Sequence, residues 1–206
     1  MKVSLEFNPN IKYLENGNNI LNNILNNNLY YLSNQEKDII KQNIDNILYF
    51  SHNSDIINII DLGSSDGLKT YPIIIKALEK YNKVCYIPID TSQKSIESCK
   101  KKYLELKSDK FKIIPIIGDY DDLLNIKINK KQNNLILFLG STLGNYEQYI
   151  VKDLLNKYVL KNCKFICTFD SIPNSKKNIE DIINAYNISE MIDLDMNMLN
   201  IIKKKK

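Results

Sequence analysis

Two hydrophobic rhythms divide the chain near residue 55. Ahead of it, apolar residues recur at helical spacing, first at Ile20, Leu21, Ile24 and Leu25 and then at Ile39, Ile40, Ile44, Ile47 and Leu48. Two helices are expected, separated by Tyr30-Tyr31-Leu32-Ser33, and Ser33 followed by Glu36 forms a capping-box pattern that would start the second. Beyond it, short apolar runs at Ile56–Leu62, Val84–Ile89, Lys112–Ile117, Leu135–Leu139 and Phe165–Phe169 read as buried strands, with helices near 69–81, 93–107 and 147–158. This alternation predicts an α/β fold: a Rossmann-like parallel sheet with helices on both faces and right-handed crossovers. The expected organisation is an N-terminal helical segment (1–54), an α/β core (55–190) and a final stretch (191–206) ending in lysines.

In a doubly wound sheet, ligands bind outside the carboxyl ends of the strands, so the residues just after each strand carry the chemical information. The first strand runs into Asp61-Leu62-Gly63-Ser64-Ser65-Asp66-Gly67, a turn in which glycines let the backbone approach a ligand closely. The spacing of Gly63 and Gly67 departs from the G-x-G-x-x-G pattern of dinucleotide sites. The second strand ends in Asp90-Thr91-Ser92, where a carboxylate can accept both hydroxyls of a ribose or cap the following helix. The third ends in Gly118-Asp119-Tyr120, an acid and a ring that suit the amino group and face of an adenine, or a capped turn. Three acids at one edge, with no basic cluster to offset them, would repel phosphates. They suit S-adenosylmethionine, an adenosine carrying a positive sulfonium, better than NAD or ATP. After the fourth strand, Gly140-Ser141-Thr142-Leu143-Gly144-Asn145 offers uncharged hydrogen-bonding groups without bulk, as a wall between donor and acceptor would require.

Composition narrows the alternatives. The chain has 206 residues and a formal net charge of +4, but Lys203–Lys206 account for that excess. Arg is absent, so bidentate recognition of phosphate or guanine is excluded and no nucleic-acid partner is expected. No apolar run approaches the roughly 20 residues of a membrane span, and the polar start after Met1-Lys2-Val3-Ser4-Leu5 does not resemble a secretory leader. A cytoplasmic location and no membrane partner are the resulting expectations. His52 is the single histidine, and Cys85, Cys99, Cys163 and Cys167 include no Cys-x-x-Cys pair. No metal site is expected, and the thiols read as buried packing residues, with Cys163 and Cys167 on one strand face. Ser141 lacks a histidine to activate it and G-x-S-x-G is absent, which removes hydrolase chemistry.

The strings Asp61–Thr70, Ile87–Ser92, Gly118–Tyr120, Phe138–Asn145 and Ala185-Tyr186-Asn187, in this order and spacing, resemble the S-adenosylmethionine-dependent histidine Nα-methyltransferases of ergothioneine synthesis and their fungal relatives that methylate a prenylated tryptophan. The resemblance runs from about residue 11 to 200. It implies a class I methyltransferase core, with donor contacts at Gly63, Lys69, Asp90, Asp119 and Tyr120. It also implies amino-acid substrate contacts at Tyr30, Asn145 and Tyr186, with Tyr13 lining the amine pocket. Ser65 stands where the family usually has glycine. Family members continue for roughly another third of their length beyond Leu199, through the rest of the substrate domain and the last two strands of the sheet.

The function expected from these features is N-methylation of the amino group of an amino acid such as histidine, with S-adenosylmethionine as cofactor. No residue is assigned as catalyst. The alternative is a shortened, catalytically degenerate relative that binds the donor or serves a partner. Without the last strands, the fifth would be an open edge, which invites a homodimer or a partner chain that completes the sheet.

Overall fold

The computed structural model describes residues 9–106, 108–118, 129–158, 163–170 and 176–204. The chain folds as two units, one spanning Leu32–Asp170 and the other combining the segments that precede and follow it.

The larger unit is a parallel sheet of six strands: β1 (Ile56–Leu62), β2 (Lys83–Asp90), β3 (Phe111–Ile113), β4 (Ile116–Ile117), β5 (Asn133–Phe138) and β6 (Cys163–Cys167). Their order is β3-β2-β1-β5-β6, with β4 also on β2 and every pairing parallel. Strand order reverses between β1 and β5, which creates a crevice at their carboxyl ends. The first strand has the bounds expected from its apolar run. The expected third strand, Lys112–Ile117, is instead two pieces. Between the Ile113↔Tyr86 and Ile116↔Ile89 registers lie Ile114-Pro115 on one side and Ile87-Pro88 on the other. Proline has no N–H to give to a ladder, so the pairing lapses there and resumes at Ile116.

Helices α2 (Leu32–Ile47), α3 (Tyr71–Lys80), α4 (Gln93–Leu104) and α5 (Gln148–Tyr158) belong to the same unit. Side chains alternate across a strand, and β1 and β5 are apolar on both faces because both are covered. Ile57, Ile59, Leu135 and Leu137 pack with Ile40 and Ile47 of α2, Ile73 and Ala77 of α3 and Cys99 and Tyr103 of α4. On the opposite face Ile60, Leu62, Ile136 and Phe138 pack with Ile150 and Val151 of α5, and with Cys163 and Cys167. These two cysteines share a face as expected, though both are only partly buried; Cys99 is fully buried.

The second unit holds α1 (Gly17–Asn26), α6 (Lys176–Tyr186) and α7 (Ser189–Lys204). Ile24, Ile188 and Leu194 form its core, with Tyr13, Ile20, Tyr30 and Met191 packed against them. The Asn197 amide donates to the carbonyls of Lys12 and Leu14 at 3.1 and 3.0 Å, which ties α7 to the turn ahead of α1. Among the described residues, no helix is long and apolar enough to cross a membrane.

Candidate functional site

The turn after β1 is built as a rigid bridge to β2. Gly63 and Ser64 both donate backbone N–H groups to the Ile89 carbonyl, at 2.9 and 3.0 Å. Gly63, Ser65 and Gly67 have φ angles of 69°, 50° and 72°, the left-handed region that a side chain disfavours. At Gly67 a Cβ would also lie 2.7 Å from the Tyr103 ring and 2.8 Å from Cys99 Sγ. The turn therefore sits directly on the buried face of α4.

Asp90, the last residue of β2, receives this turn. Its Oδ2 accepts from Ser65 N–H and its Oδ1 from Ser92 N–H, each at 2.9 Å. Burial pushes the Asp90 carboxyl above its usual range, while these two backbone bonds oppose the shift. The cap of α4 is Ser92, whose Oγ accepts from Ser95 N–H at 3.2 Å. Asp90 does not cap that helix, and its carboxylate is aimed by one bond to each oxygen. A carboxylate offers about four acceptor sites, so each oxygen keeps one for a ligand.

Asp61 has a different role from the one its place at a strand end suggests. It is 2% exposed, and its Oδ2 accepts from Thr70 Oγ1 at 2.6 Å and from the Tyr86 hydroxyl at 2.8 Å. Burial raises its pKa to about 6, opposed chiefly by those two bonds. The Tyr103 hydroxyl donates to the Gly67 carbonyl at 2.8 Å. Asp61 thus braces the turn from below and contributes no open carboxylate to the sheet edge. Asp66 is also engaged, with Lys102 Nζ at 3.6 Å. The expected rim of three open acids is therefore corrected: Asp61 is enclosed, Asp90 is poised, and Asp119 and Tyr120 lie outside the described residues.

A basic group also stands at this edge. Lys69, in the turn before α3, forms an ion pair with Glu36 Oε2. Glu36 Oε1 accepts from Gly140 N–H at 2.5 Å and from the Thr168 hydroxyl, and Thr168 Oγ1 accepts from the same Gly140 N–H at 2.9 Å. The capping-box reading of Ser33 and Glu36 is overturned. Helix α2 already includes Leu32, the buried Ser33 hydroxyl has no hydrogen-bond partner among the described residues, and the Glu36 side chain is committed to the ends of β5 and β6. The signal for this in the sequence is a carboxylate at helical spacing ahead of Ile40 and Ile47, on the face of α2 that they bury. Thr168, directly after the apolar run of β6, has no comparable signal.

Of the residues expected to contact a substrate, Tyr30 and Tyr186 lie together in the smaller unit, with ring centroids 6.0 Å apart and planes at 85°. Tyr13 packs against the same core. Asn145 belongs to a short 3-10 turn, Thr142–Asn145, after β5; its side chain lies outside the described residues. His52 Nε2 is 3.2 Å from the Lys131 carbonyl, a peripheral contact.

A family model for histidine-specific, SAM-dependent methyltransferases matches residues 3–205. The chain belongs to this family. Among solved structures, magnesium protoporphyrin IX methyltransferase ChlM from Synechocystis PCC 6803, crystallised with SAM, superposes with a TM-score of 0.53 at 12% identity, covering 84% of this chain and 81% of that one. The plantazolicin methyltransferase BpumL gives 0.48 at 14% identity, with 91% and 64% covered. Monomeric WbdD gives 0.47 at 16% identity, with 70% of this chain covered. The chain spans 26% of one WbdD chain's length and 36% of another's. No curated relative matches the chain. At this identity the ChlM match establishes the methyltransferase fold alone.

Proposed function

We propose that the chain is an S-adenosylmethionine-dependent N-methyltransferase that acts on the amino group of an amino acid such as histidine. The observation that carries this reading is the aim of the Asp90 carboxylate. Both oxygens are oriented by backbone N–H groups at 2.9 Å, and each retains an acceptor site at the end of β2. Two vicinal ribose hydroxyls match that arrangement, whereas a phosphate would be repelled by it. Gly63 would let the donor approach the backbone closely, Lys69 would meet its carboxylate, and Asp119 with Tyr120 would hold its adenine.

When bound, S-adenosylmethionine supplies an electrophilic methyl group on a sulfonium for in-line displacement. The protein's task is to orient, which in favourable cases corresponds to about 7–11 kcal/mol of barrier. Tyr30 and Tyr186, paired in the smaller unit, are proposed to contact the amino acid. Its ammonium has to lose a proton before it can accept a methyl group; water could take that proton, and no residue is assigned as general base.

Calorimetric titration with S-adenosylmethionine and S-adenosylhomocysteine, with ATP and NAD as controls, tests the donor site. Mass spectrometry after incubation with histidine, tryptophan and related amines tests the transfer. Binding of both adenosyl ligands, weakened by about 1–3 kcal/mol in Asp90→Ala, and a product heavier by one methyl group are expected. Unchanged affinity in Asp90→Ala would remove the ribose assignment, and donor binding without any methylated product would favour a binding protein over an enzyme.

A further inference from the structure

Glu36 is nearly buried, with a side chain 9% exposed, and all of its contacts converge on the crevice where strand order reverses. One oxygen holds the Gly140 N–H and the Thr168 hydroxyl at the ends of β5 and β6; the other holds the Lys69 ammonium from the turn after β1. Lys69 has three N–H donors, and the ion pair engages its ammonium while leaving the group 22% exposed. A free lysine side chain samples many rotamers, and ordering it costs conformational entropy. Here that ordering is already accomplished by the protein.

We propose that Glu36 is a positioning residue for the amino-acid end of the donor, acting through Lys69: it fixes the ammonium between the turn after β1 and the end of β5, ready to receive a carboxylate. This rests on the donor reading above. An amide at position 36 could still accept from Gly140 and Thr168, but its NH2 group would face the Lys69 ammonium, two donors with no acceptor between them. Lys69 would then turn to solvent, and ligands that carry a carboxylate would lose their counter-ion. Ligands without one would be unaffected.

The test compares S-adenosylhomocysteine with 5′-methylthioadenosine, which keeps the adenine, ribose and sulfur but lacks the amino-acid end. In Glu36→Gln, S-adenosylhomocysteine should bind about tenfold more weakly or worse, the size of one lost charge-assisted bond. Methylthioadenosine should stay within about twofold. Lys69→Met should show the same selective loss, and the double variant no more than either single one, because the two side chains act as one unit. Glu36→Asp keeps the charge but not the reach, and serves if Glu36→Gln does not fold; it should show the same selectivity in smaller measure. Parallel weakening of both ligands in the Glu36 variants, or no weakening of S-adenosylhomocysteine, would overturn the proposal and leave Glu36 a brace for β5 and β6. Failure of the unaltered chain to bind either ligand would instead sink the donor reading itself.

Discussion

Ser65 occupies the left-handed region, with φ of 50°, between Gly63 and Gly67. That conformation costs a residue with a Cβ about 1–2 kcal/mol, and it explains why glycine is usual here in the family the sequence resembles. The serine is retained at a point where its N–H must reach Asp90, 2.9 Å away. Ser65→Gly should preserve that bond and relieve the strain. After allowing for the greater freedom of glycine in the unfolded chain, it should stabilise by about 0.5–1 kcal/mol, read as a higher urea midpoint at unchanged slope. At this scale the sequence was informative where backbone chemistry dictates the outcome. It located Gly63 in the turn after the first strand and placed Asp90 at a strand end. It misassigned Asp61, because a carboxylate at a strand end reads the same whether it faces ligand or core.

Among the elements, α2 is pinned at both ends. Near its start Glu36 reaches the ends of β5 and β6. At its other end Lys164, on β6, donates to the carbonyls of Asn46 at 2.6 Å, Ile47 at 3.3 Å and Tyr49, the unpaired acceptors that a helix leaves at its C-terminus. Lys164→Met should cost about 1 kcal/mol, since the ammonium is partly solvated and its bonds count for less than buried ones. Thermal melting with a parallel Lys152→Met control on α5 would check it. The strands were legible from apolar runs, since a parallel strand covered on both faces leaves an uninterrupted stretch of hydrophobic residues. The break at Pro115 was not inferred, although proline without an N–H is its cause. The start of α2 was misplaced because Ser33 and Glu36 fit a local cap by spacing, while each side chain follows its tertiary surroundings.

For the molecule as a whole, stability should depend on pH through Asp61. Its pKa stands at about 6 against an ordinary 3.8, with burial as the largest cause. Between about pH 4 and pH 6 the folded chain keeps a proton that the unfolded chain has released, so stability falls as pH rises through that window and levels off above it. The full effect corresponds to about 3 kcal/mol. Denaturant melts from pH 4 to 7 should show this slope, and Asp61→Asn, whose carbonyl still accepts from Thr70 and Tyr86, should flatten it. A slope that survives in Asp61→Asn would place the proton elsewhere.

The amino-acid order alone determined the alternation of strands and helices, the glycine turn after the first strand, and the kinship of the Phe138–Asn145 string. Each is written in neighbouring residues and enforced by local sterics or by the two-sided burial of a parallel sheet. Only the tertiary structure decided which acids are open and which are enclosed, and what Glu36 is for. Its carboxylate meets groups 104 and 132 residues away, and a charge's role is set by the donors that surround it after folding, which no local pattern records.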